Sequence, residues 1–85
     1  MRILDLGCGP NKLAPDSIGI DIYPFEGVDI VRDLRRGLPF DDNTVVTCII
    51  HHCLEHFAGE DLIFVVEEMI RVTQPGGTIM VTVPD

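Results

Sequence analysis

Asp5 sits in a short apolar run, Ile3-Leu4-Asp5-Leu6, that stops abruptly at Gly7-Cys8-Gly9-Pro10. An acidic residue near a strand end followed by Gly-x-Gly suits a nucleotide-like ligand. The glycines permit a sharp turn and let the backbone approach the ligand closely. Asp21 closes a second apolar run sixteen residues later, where a carboxylate can accept hydrogen bonds from both hydroxyls of a ribose. The pattern is not that of a pyrophosphate loop. Lys12 stands where a third glycine would be, and no Gly-Lys-Ser/Thr follows. Taken alone, these residues also fit an ordinary strand-to-loop turn.

A second cluster is His51, His52, Cys53 and His56. On a helix His52 and His56 would be four apart and could share a metal ion. Cys53 falls off that face, and no second ligand pair stands elsewhere at zinc-like spacing, so no metal site is assigned. The plainer reading has the histidines hydrogen-bonding locally at a helix start and Cys48 and Cys53 serving as small core residues. Cys8 inside the glycine turn is accounted for by close packing.

The elements that must position these groups are short. Ile3–Leu6, Ile18–Ile22, Val28–Val31 and Val45–Ile50 read as strands, and their almost continuous apolar character suits a parallel sheet covered on both faces. From Glu60 to Thr73 the period lengthens. Leu62, Val65, Val66, Met69 and Ile70 fall on one helical face, with Glu67, Glu68 and Arg71 on the other. Gln74-Pro75-Gly76-Gly77 stops that helix, and Thr78–Val83 reads as a fifth strand. Alternating strands and helix predict an α/β fold with a mostly parallel sheet in a single domain over residues 1–85.

Charge and composition narrow the function. Six basic residues against fourteen acidic ones give a net charge of −8. That sign disfavours a nucleic-acid partner, and Arg32, Arg35 and Arg36, the one basic cluster, read as a solvated loop. The apolar runs are far shorter than the ~20 residues of a membrane span. Three cysteines at irregular spacing, with no secretory pattern ahead of them, predict free thiols in a reducing, cytoplasmic setting.

Ile3-Leu4-Asp5-Leu6-Gly7-Cys8-Gly9-Pro10 closely resembles the first motif of class I S-adenosylmethionine-dependent methyltransferases. The resemblance continues in order along nearly the whole chain. Gly19-Ile20-Asp21-Ile22 is similar to the second motif, and Asp33-Leu34 with Leu38–Asn43 to the segment whose acidic residue faces the adenine amine. His52-Cys53-Leu54-Glu55-His56 is similar to the opening of the helix after strand four. Arg71-Val72-Thr73-Gln74-Pro75-Gly76-Gly77 is similar to the stretch before strand five. The subgroup resembled is the small-molecule kind called type 11.

That resemblance implies a Rossmann-like open sheet of order 3-2-1-4-5. It implies S-adenosyl-L-methionine as cofactor and a small-molecule methyl acceptor. Carried over position by position, Asp5, Gly7, Cys8 and Gly9 would face the methionine end. Asp21 would take the ribose and Ile22 would pack on adenine. Asp33 would accept from the adenine amine, and Leu34 would cover the ring. His51 would lie near the sulfonium, as a base or only as part of the wall; an unperturbed imidazole titrates near neutrality.

The chain departs from the pattern in places. Val46 stands where an acidic residue is usual. The link from Gly7 to Ile18 holds Pro10 and Pro15 and leaves little room for a helix. The link from strand two to strand three is shorter than the dozen or so residues a parallel crossover normally takes. Relative to the family, the chain starts at strand one and ends after strand five. A truncated domain without the N-terminal helix and last two strands is therefore expected. One under-covered sheet face would invite a homodimer or a partner chain. Two functional readings follow, an enzyme and a non-catalytic cofactor-holding fragment, with a small metal-binding module behind them.

Overall fold

The computed structural model describes residues 2–10, 12, 14–51 and 53–82. Their five strands are β1 (Ile3–Leu6), β2 (Ile18–Asp21), β3 (Ile30–Val31), β4 (Val45–His51) and β5 (Thr73–Thr82). They form one open sheet in the order β3-β2-β1-β4-β5, and every pairing is parallel. The sheet is thus the Rossmann-like arrangement that the motifs imply. One α-helix, α1 (Gly59–Val72), lies among the described residues and makes the crossover from β4 to β5.

The short links shape the weak side of the sheet. β3 has two residues, paired as Ile20 with Ile30 and Asp21 with Val31. Val28 and Asp29, expected in this strand, belong to the loop before it. The connection over 22–29 is too short for a helix, and strand three joins through a bare loop. Between β1 and β2 no described residue is helical. The Cys8 and Lys12 side chains do part of that cover's work. A Cβ on Gly19 would lie 2.7 Å from Cys8 Sγ and 3.0 Å from Lys12 Cε, so this sheet position has room only for glycine. Lys12 Nζ donates to Ser17 O and to Asp29 Oδ2, which also accepts the Gly19 N–H.

Register places Leu4, Leu6, Ile20, Cys48 and Ile50 on one face. Val65, Met69 and Val72 of α1, with Leu34 and Leu38 from the loop after β3, pack against them. Each aliphatic side chain so buried contributes about 1.5–3 kcal/mol. The N–H groups of Val46 and Thr47 both donate to Arg2 O, a bulge that turns Val45 into the same core. β5 also departs from expectation. Thr73 pairs with Val45 and Thr78 with Thr47, so the strand begins five residues early, before Gln74–Gly77 bulges out. Beyond the reach of α1, Ile79, Met80 and Val81 of this edge strand stay about half exposed, as does Ile70 on the helix.

The polar flank of α1 does more than meet solvent. Arg71 donates to Phe40 O, Leu38 O, Asp42 and Glu68, and Glu68 accepts the Leu38 N–H. Together they fasten loop 38–42 to the helix and fix the end of the β3–β4 connection. The Arg71 guanidinium holds the Glu68 carboxyl below its ordinary value, with the Leu38 N–H adding to it. A depressed carboxyl pKa stabilises the fold above the unfolded value and ceases to do so as pH falls through the folded one. Arg71→Met is therefore expected to cost about 2 kcal/mol near pH 7 and less near pH 3, measured by urea unfolding at both values.

Candidate functional site

A cleft of about 570 Å³ opens at the carboxyl ends of β1, β2, β3 and β4, the end of an open α/β sheet that binds ligands. Each wall comes from a different strand end. Gly7 follows β1. Asp21, Ile22, Tyr23 and Phe25 end β2 and continue past it. Arg32, Asp33, Leu34 and Arg35 follow β3. Cys53, His56, Phe57 and Asp61 follow β4 and open α1.

The glycine turn is bound to the second wall. Gly7 adopts φ +64° and Gly9 φ +55°, conformations that glycine adopts without the steric penalty other residues incur. Gly7 N donates to Ile20 O at 2.7 Å. Gly9 N donates to Asp21 Oδ2 at 2.8 Å, and Tyr23 N to Asp21 Oδ1 at 3.0 Å. Asp21 is thus buried and oriented by two backbone donors, with one further lone pair on each oxygen for a ligand. A Cβ added to Gly7 would sit 2.6 Å from Cys53 Sγ, whereas one on Gly9 would meet open space. The turn is tight on one side, at Gly7, and open on the other, at Gly9.

On the third wall Asp33 caps the 3-10 turn Leu34–Arg36 through the Arg35 N–H. Its carboxylate pairs with the Arg35 guanidinium at 2.7 Å, which holds it below the usual carboxylate range. Arg32 is turned onto the chain, donating to Gly37 O and Arg36 O. Leu34 is buried in the core.

The thiols are not poised as nucleophiles. Burial pushes the Cys53 thiol up to about 11, with the Asp21 and Glu55 charges adding to it. Burial pushes Cys48 to about 12, and it raises Cys8 too, helped by Asp5 and Asp21. Only thiolate attacks, so Cys53 alkylation by iodoacetamide should be slow at pH 7.5. It should quicken about tenfold per pH unit up to the thiol's own value. Peptide mass spectrometry after timed labelling checks this, and a plateau near pH 8.5 would contradict it.

A family model described as a methyltransferase domain matches residues 4–81. The chain belongs to the methyltransferase-domain family. Searches of curated proteins and of solved structures found no match. Within the methyltransferase domain, Gly7, Asp21, Ile22, Asp33 and Leu34 all line this cleft. The remaining expected residues do not line it. Asp5 is buried in register between Gly19 and Ile49. Cys8 lies over Gly19. Gly9 is held by Asp21. His51 is the last residue of β4, paired in register with Thr82.

The segment after β4 of this methyltransferase domain differs from the helix start expected there. Leu54–His56 is a separate 3-10 turn, and α1 begins only at Gly59. His52 lies outside the described residues, and His56 is largely exposed. Among the described residues no group of three or more His, Cys, Asp or Glu is arranged to hold a metal ion. No helix of the described residues is long and apolar enough to cross a membrane. Sequence reasoning did not single out Tyr23, Phe25 and Phe57 as lining residues. The two aromatics so close to Asp21 were the available signal.

Proposed function

We propose that this chain binds S-adenosylmethionine in the cleft and is a methyltransferase acting on a small molecule. The observation that carries the reading is the meeting of Gly7, Asp21, Ile22, Asp33 and Leu34, drawn from three strand ends, in one cleft. The residues fit the group. Asp21 has acceptor capacity toward a diol after holding Gly9 and Tyr23. Ile22, half exposed, and the cleft-facing part of Leu34 offer apolar surface to a purine. Asp33 offers the adenine amine a carboxylate that it shares with Arg35. The open side of Gly9 leaves backbone room for the amino-acid end.

When bound, the cofactor supplies a methyl group on a sulfonium, open to in-line displacement by an acceptor lone pair with the C–S electron pair left on sulfur. The protein's part is alignment, which can account for a large share of a two-substrate barrier. Asp21 sets the ribose position, and the Gly7–Gly9 turn sets the distance of the methionine end. The cleft lining carries Asp21, Asp33 and Asp61 beside Arg32 and Arg35, with Asp33 and Arg35 paired to each other. His51 at the end of β4 is the proposed proton acceptor or wall residue. The retained alternative is a domain that holds the cofactor without transferring its methyl group.

The reading is tested by ultraviolet crosslinking of methyl-tritiated S-adenosylmethionine to the protein. Label displaced by S-adenosylhomocysteine and not by NAD is expected, and no label above a heat-denatured control would overturn it. Transfer of the label to a panel of small acceptors then separates enzyme from binding domain.

A further inference from the structure

β5 ends the sheet among the described residues, and its outer row of backbone N–H and C=O groups has no strand beside it there. Sheet edges are normally guarded against pairing by brevity, proline, a bulge or a charged side chain. The opposite edge, β3, is two residues long and is followed at once by Arg32. The first half of β5 is guarded too, by Pro75 and by the bulge over Gln74–Gly77. The second half, Thr78–Thr82, has none of these devices. It pairs with Thr47–His51 without a break and carries no charge.

Register shows which faces the exposed side chains of this half take. Ile79 stands beside Cys48 and Val81 beside Ile50, on the face that α1 covers, whereas Met80 stands beside Ile49 on the other face. Ile79 is 40%, Met80 48% and Val81 52% exposed. A helix laid on one face would bury one set and leave the other in water. A strand added at the edge covers both and also takes up the outer backbone groups. The same segment of a second copy supplies such a strand. Around a two-fold axis through Met80, antiparallel pairing sets Ile79 opposite Val81 of the partner subunit and Thr78 opposite Thr82 of the partner subunit. Thr–Thr is a pair that antiparallel sheets favour, and the Ile–Val contact removes apolar surface from water. Charge favours the same seam. Each copy carries −8, so two copies repel over much of their surface, and β5 offers them a strand with no charge. We infer that this chain forms a two-fold dimer by antiparallel pairing of Thr78–Thr82 across the β5 edge. A two-fold contact uses up the edge of each copy, so assembly closes at two. The inference does not depend on the cofactor reading.

Sedimentation equilibrium of the wild-type chain up to about 200 μM measures its self-association. Expected is a monomer–dimer equilibrium that stops at twice the chain mass. Val81→Lys puts an ammonium into the seam twice and should weaken association at least about 10-fold. It also lowers the net negative charge by one, so the loss cannot come from overall repulsion. Glu67→Gln, exposed on α1, makes the same charge change away from the seam and should associate as wild type. Val81 is half exposed, so circular dichroism should show the wild-type fold in the Lys variant. Met80→Cys reads the register without a weakened seam. Copper–phenanthroline oxidation should join two copies through the substituted position, identified by peptide mass spectrometry. A wild-type monomer over the whole range would overturn the dimer and leave the edge to a strand from another partner. Species that grow beyond two copies would overturn the closed pairing. A folded Val81→Lys protein that associates as tightly as wild type would move the contact away from β5, and a dimer that does not crosslink at position 80 would overturn the register.

Discussion

Asp21→Ala is expected to weaken S-adenosylhomocysteine binding by at least about 100-fold, since two charge-assisted hydrogen bonds contribute about 1.5–3 kcal/mol each. The loss has two sources. The ribose loses its acceptor, and the N–H groups of Gly9 and Tyr23 lose the carboxylate that orients both the turn and the aromatic loop. Asp21→Asn separates these sources. It keeps one carbonyl oxygen and the shape of the side chain, so it should retain part of the affinity that Ala loses. Calorimetric titration measures both variants. An Asp21→Ala protein that binds within a few-fold of wild type would remove Asp21 from the site.

Gly7→Ala is the second large effect, and it strikes the fold as well as the cleft. At φ +64° an L-residue costs about 1–2 kcal/mol. The new methyl would also sit 2.6 Å from Cys53 Sγ and 2.9 Å from Cys53 Cβ, an overpacking that costs about 1–3 kcal/mol. Destabilisation of about 2–5 kcal/mol is expected, measured by denaturant unfolding. Gly7→Ala combined with Cys53→Gly should recover the second part and not the first. If the single variant is as stable as wild type, the turn does not have the geometry described.

The β-branched and aliphatic runs made β1, β2 and β4 legible because a parallel strand buried on both faces leaves no polar alternation. The family motifs added the strand order. Other features depended on partners far along the chain. Glu68 and Arg71 read as a solvent-facing flank, yet they grip Leu38, Phe40 and Asp42 some thirty residues earlier, a contact with no helical period. Ile70 was placed on the inner face by periodicity and stands 58% exposed, because it lies on the side of the stripe away from Val72 and Val65. The early start of β5 was hidden by Gln74-Pro75-Gly76-Gly77, which reads as a stop and here is a bulge inside the strand.

The cleft divides in the same way. Gly7, Asp21 and Asp33 were legible because each ends or follows a strand within its own short motif. The closeness of Cys53 to Gly7 was not, since it depends on the exit path of β4. Tyr23 and Phe25 carried a local signal, two aromatics next to a ligand-type carboxylate. Without the wall opposite them they could equally have been core residues.

The most direct test of the account is a backbone-amide NMR titration of the isotope-labelled protein with S-adenosylhomocysteine. Binding in the cleft predicts saturable shifts concentrated at Gly7, Gly9, Ile22, Tyr23, Leu34 and Cys53, with β5 little changed. Shifts confined to residues away from the strand ends, or none at saturating ligand, would contradict it.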